Sequence, residues 1–132
     1  MIDRSELRVY SPAKPGTAAP MRRALAAFLA VLEFEDESIE DILMAVGEAL
    51  ANAVEHAYAG SPPGVVELYA RVDPEALLSV DVCDEGRFIE REPRAGRGFG
   101  LRIVQTVAQA VSVETDGGTR VHMIFNAARN CA

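Results

Sequence analysis

Apolar and polar positions recur with two different periods along this 132-residue chain. Between about Glu37 and Tyr58, the residues Ile39, Ile42, Leu43, Val46, Leu50, Ala53, Val54 and Ala57 repeat at three- and four-residue spacing. That period gathers side chains into one stripe of an α-helix. Gly60, Pro62, Pro63 and Gly64 close the segment, since neither residue type continues a helix well. An Ala/Leu-rich run from about Ala18 to Phe34 predicts another helix ahead of it. Elsewhere the period is two, over Glu6–Ser11, Val65–Val72, Leu77–Asp84, Val111–Thr115 and Arg120–Asn126, which predicts strands. Turns at Asp73-Pro74 and Asp116-Gly117-Gly118 join neighbouring strands as hairpins. A further helix is predicted from about Phe99 to Gln109, after a loop spanning Glu85 to Arg97. Hairpin neighbours build a mostly antiparallel sheet, and the helices then gather on one face. The expected fold is therefore an α+β two-layer sandwich. No repeat or linker divides the chain, so residues 1–132 are expected to form a single domain.

Strand parity says which polar residues turn inward. Leu78, Val80, Val82 and Asp84 point to one face, and the three apolar members require that face to meet the helices. Thr119, Val121, Met123 and Phe125 behave alike, so Asp84 and Thr119 are both expected at inward strand ends, flanking a cavity between the layers. Gly86 follows Asp84 closely and permits a near approach of the backbone. On the long helix Glu48, Asn52, Glu55 and His56 lie off the apolar stripe, with Glu48 and Asn52 four residues apart on one face. Gly47 and Asn52 are poor helix formers, so a demand other than helix formation is expected there. His56 is expected to cap or pack near the helix end.

Composition narrows the chemistry. With 13 basic and 20 acidic residues the net charge is −7, which argues against binding nucleic acid or an anionic membrane by bulk charge. Lys14 is the sole lysine and stands in a loop-like stretch, which excludes a lysine-bearing phosphate loop. Arg87, Arg91, Arg94, Arg97 and Arg102 nevertheless make a local positive island beside only Glu90 and Glu92. It leads into Gly96, Gly98 and Gly100, alternate glycines opening the predicted helix, where free backbone N–H groups can cradle an anion. No apolar run is long enough to span a membrane. The ALAAFLAVL stretch at 24–32 sits too late and too close to acidic residues for a secretory signal. Cys83 and Cys131 lack metal-ligand spacing and read as thiols, which sets a reducing cytoplasmic location as the expectation. His56 and His122 form no zinc motif.

Taken in order, Glu48-x-x-x-Asn52-Ala53-x-x-His56-Ala57, Asp84-x-Gly86, Gly96-x-Gly98-x-Gly100-Leu101 and Gly118-Thr119 resemble the motifs of the GHKL (Bergerat-fold) ATPases. The short length, the EALANAVEHAY stretch and the abbreviated loop are most similar to the single-domain bacterial anti-sigma-factor serine/threonine kinases. The resemblance spans residues 6 to 126 and implies ATP or ADP with Mg²⁺ as cofactors. It implies that the Asn52 oxygen holds Mg²⁺ and that Glu48 is the general base toward a substrate hydroxyl. It implies that Asp84 accepts a hydrogen bond from the adenine amino group, with Gly86 allowing close approach, and that Thr119 reaches adenine through water. Arg97, Gly98, Gly100 and Leu101 fall in the segment that cradles the phosphates. Phe88 stands where the first glycine box usually has its second glycine. The implied partners are an anti-sigma-factor antagonist of the STAS type as substrate, a sigma factor, and a second copy of the chain. A nucleotide-binding partner-switch module without significant kinase activity is the alternative.

Overall fold

The period-two segments pair into one antiparallel sheet. The structure, a computed structural model, describes residues 5–59, 62–73, 77–85, 108–115 and 117–126. Among these, the chain runs β1 (Glu6–Pro12), α1 (Ala18–Val31), α2 (Asp36–Tyr58), β2 (Val65–Val72), β3 (Leu78–Asp84), β4 (Ala110–Glu114) and β5 (Thr119–Phe125). The strand order is β1-β2-β3-β5-β4, every neighbouring pair being antiparallel. Both helices lie on one face, α2 packing across β2 and β3 and α1 packing on α2. This is the expected α+β two-layer sandwich. The predicted helix at 99–109 lies outside the described residues except for Ala108 and Gln109, a bend whose Gln109 N–H donates to the Ile124 carbonyl at 2.8 Å.

The core forms where the two periods meet. Met21, Leu25 and Leu29 of α1, Ile42, Val46 and Leu50 of α2, and Val66, Leu68, Val80 and Met123 of the sheet are all fully buried. Each large side chain of this kind stabilises the fold by about 1.5–3 kcal/mol, so burial on this scale sets the position of α2 on the sheet.

Helix α1 ends at Val31, three residues before the expected Phe34. Glu33 adopts the left-handed conformation, with φ 64, which turns the chain and drives Phe34 into the core at 1% exposure. The apolar pattern therefore outruns the helix: Phe34 is apolar because it plugs the core. Helix α2 starts after an extended Glu35, with Asp36 and Glu37 in its first turn and His56 in its last. The two carboxylates complement the positive end of the helix dipole. Among the described residues, no helix is long and apolar enough to cross a membrane.

Candidate functional site

Two of the inward-facing polar residues meet. Asp84 ends β3, Thr119 begins β5, and the two are direct partners in the β3–β5 register. Both are buried, Asp84 at 7% and Thr119 at 5% exposure. The Thr119 hydroxyl oxygen has no hydrogen-bond partner among the described residues. A buried hydroxyl left unsatisfied costs about 1–3 kcal/mol, so its persistence points to a partner beyond the described residues. Gly118, just before it, has φ 145, and a Cβ there would fall 2.4 Å from the Asp84 carbonyl oxygen. Only glycine lets β5 come this close to the end of β3. The same corner is tied to α2: the Gly64 N–H donates to the Ala57 carbonyl at 2.9 Å, and a Cβ on Gly64 would meet the Glu85 side chain at 3.1 Å.

The second half of the site lies on α2. Glu48 is half-buried and Asn52 exposed, one helical turn apart and so neighbours on one face. Beside Glu48 a groove of about 350 Å³ opens between α1 and α2, lined by Ala18, Ala19, Arg22, Leu43, Met44, Gly47 and Glu48. Sequence reasoning missed Arg22 and Met44. Met44 is 49% exposed and falls off the apolar stripe of α2, and that mismatch was the available signal. The demand expected at Gly47 is not a steric one. A Cβ there would meet Arg22 Nε at 3.5 Å, an ordinary contact that an alanine satisfies.

The remaining candidates, Gly86, Arg97, Gly98, Gly100 and Leu101, lie outside the described residues, as do Phe88 and Cys131. The described donor set suits a purine nucleotide. A buried carboxylate and an orphaned hydroxyl, side by side at the edge of an apolar layer, match a flat heterocycle with polar edges. Magnesium in phosphate sites takes few oxygen ligands from the protein, often carboxylates, and keeps phosphates and several waters in its other positions. The single amide oxygen of Asn52 fits that need.

Comparison with known proteins agrees. Residues 11–125 match the family described as histidine kinase-like ATPase domain. The chain is 30% identical to the serine-protein kinase RsbW of Bacillus licheniformis, over 89% of this chain and 82% of that protein. It is 29% identical to the anti-sigma F factor of Clostridium botulinum (strain Eklund 17B / Type B), over 77% of this chain and 80% of that protein. Its fold matches the crystal structure of the RsbU and RsbW domains of Rv1364c from Mycobacterium tuberculosis with a TM-score of 0.76 and 23% identity. That match covers 96% of this chain and 34% of the larger one. With its motifs, its sheet order and this match over most of its length, the chain belongs to the histidine kinase-like ATPase domain family.

Proposed function

We propose that this single-domain chain is an ATP-binding anti-sigma regulatory factor that phosphorylates a serine or threonine of an anti-sigma-factor antagonist. The observation that carries the nucleotide half of this reading is the orphaned Thr119 hydroxyl opposite Asp84. The kinase half is supported by Glu48, half-buried and lining a groove of about 350 Å³, and by likeness to a protein named a serine-protein kinase.

In this reading Asp84 accepts a hydrogen bond from the adenine amino group, and Thr119 reaches the ring through water. Gly86 permits the close approach, and Arg97, Gly98, Gly100 and Leu101 hold the phosphates. Asn52 would hold Mg²⁺, which when bound supplies charge neutralisation at the phosphates. Glu48 receives the proton of the incoming hydroxyl. Phosphoryl transfer depends mainly on positioning and electrostatics, so the groove beside Glu48 does as much by aligning the hydroxyl as by shielding it. The partners are the antagonist and a sigma factor, a second copy of the chain forms a homodimer, and the setting is the cytoplasm.

Two measurements test the reading. Mg-ADP at about 100 times its Kd is expected to stabilise the fold by about 2.7 kcal/mol, read as a raised melting midpoint. Glu48→Gln is expected to slow phosphate transfer from ATP to the antagonist by ~10²–10⁴-fold and leave the ADP-dependent midpoint shift intact. Transfer surviving that change unaltered removes Glu48 as the base. Nucleotide binding with no transfer by the unaltered chain favours the partner-switch module instead.

A further inference from the structure

We propose that Asp81, on the sheet face away from the helices, is a positioning residue for the nucleotide: by gripping β5 from outside, it sets where Thr119 stands inside. The proposal rests on the reading that nucleotide binds at Asp84 and Thr119.

Asp81 alternates with Asp84 along β3 and so faces the opposite side. The open face of a two-layer sandwich is ordinarily solvated, yet Asp81 is only 3% exposed. Its cover comes from both flanking strands. From β5, Arg120 Nη2 donates to Asp81 Oδ2 at 2.8 Å, and His122 Nδ1 bonds Asp81 Oδ1. From β2, Arg71 Nη1 lies 3.5 Å from Asp81 Oδ2, while Tyr69 is the direct register partner of Asp81. Burial by itself pushes the Asp81 carboxyl up, and the Arg120 and His122 bonds and charges together outweigh it, leaving it below the ordinary carboxylate value.

The geometry of the Arg120 bond gives it purchase on the site. In register, Cys83 opposes Arg120 and Asp81 opposes His122. Arg120 therefore reaches diagonally, past its own partner, to a carboxylate two residues along β3. A diagonal tie runs partly along the strands, so sliding one along the other stretches or slackens it directly. Arg120 is bonded to Thr119 in the chain, so whatever holds the Arg120 backbone also orients Thr119 on the other face. Among the described residues Thr119 makes no hydrogen bond through its own hydroxyl, and its position is inherited from the strand. The approach of Gly118 to the Asp84 carbonyl leaves no room for a Cβ, so there is little slack at that end of the pairing.

The test titrates Mg-ADP into the unaltered chain and its Asp84→Asn, Asp81→Asn, Arg120→Gln and Arg120→Lys variants by calorimetry, and records the Thr119 methyl resonance of each nucleotide-free protein. Asp81→Asn and Arg120→Gln are expected to weaken ADP binding by roughly fivefold or more and to shift the Thr119 methyl. Arg120→Lys, which keeps the charge, is expected to recover most of both effects. The Arg120 side chain is 48% exposed, so its glutamine variant keeps the fold even where Asp81→Asn does not. An unmoved Thr119 methyl overturns the proposal whatever the ADP affinity does, because loss without displacement is ordinary destabilisation. ADP affinity within about twofold of the unaltered chain in Arg120→Gln overturns it too. If the unaltered chain binds no ADP, or Asp84→Asn binds as well as it does, the nucleotide reading fails. The Thr119 methyl alone then decides: displaced supports the grip on β5, unmoved overturns it.

Discussion

Asp81 and Asp84 stand three residues apart on one strand, both almost inaccessible, at 3% and 7% exposure, and they face opposite ways. Around Asp81 the chain supplies its own partners: Arg120 and His122 bond it, and Arg71 lies near. Around Asp84 the immediate register partner is Thr119, whose buried hydroxyl has no partner among the described residues. A buried polar group that the protein itself satisfies holds structure together. One left unsatisfied at a layer edge marks where a ligand completes the set. The same residue type on the same strand thus has two different settings, set by what the neighbouring strands place opposite it.

The largest break in that comparison is expected from Gly118→Ala. The new Cβ meets backbone, the Asp84 carbonyl oxygen, in a conformation with φ 145 that disfavours side chains. A cost of about 2–3 kcal/mol is expected, read as a lowered denaturant midpoint with unchanged slope, and nucleotide binding should weaken with it. A midpoint equal to that of the unaltered chain would show that β5 has slack at this corner.

Acid separates the two aspartates less drastically. Asp81 has its pKa lowered in the folded state, so the stability it contributes is complete above the ordinary carboxylate range. That contribution fades as pH falls from about 5 through the unfolded value and is gone below the folded one. Its cationic partners Arg71 and Arg120 are 41% and 48% exposed, so solvent screening holds the contribution to about 1 kcal/mol. Stability measured between pH 7 and pH 3 should fall less in Asp81→Asn than in the unaltered chain, and parallel curves would remove Asp81 as a contributor.

The smallest effect carries an unusual sign. Thr119→Val keeps the shape and removes a hydroxyl that has no partner among the described residues, so the nucleotide-free protein is expected to gain up to about 1 kcal/mol. Nucleotide affinity should fall at the same time. A loss of stability instead would mean that the hydroxyl is satisfied when no nucleotide is bound.

Much of the sandwich could be read from residue patterns alone. Alternation in the strands rests on short-range geometry, since a side chain's face depends only on its parity. Leu78, Val80 and Val82 therefore carried Asp84 inward, and Val121, Met123 and Phe125 carried Thr119. The stripe on α2 worked the same way, and each of Ile42, Val46, Leu50, Ala53, Val54 and Ala57 is buried. The helix end at Val31 escaped, because Phe34 keeps the apolar pattern while the left-handed Glu33 breaks the helix. Arg22 and Met44 beside Glu48 escaped as well, since which helix faces which is not written in either helix's own period.

Local order thus determined the elements, their faces and the inward placement of Asp84 and Thr119, because parity and helical period act over a few residues. The strand order β1-β2-β3-β5-β4 and the register were settled only by packing the whole chain. The Asp81 cluster shows why: its hydrogen-bonding partners Arg120 and His122 lie 39 and 41 residues away in sequence. Parity could turn Asp81 outward, but only the pairing of β3 with β5 brought it the hydrogen-bond partners that let a carboxylate be buried on the open face of a sheet.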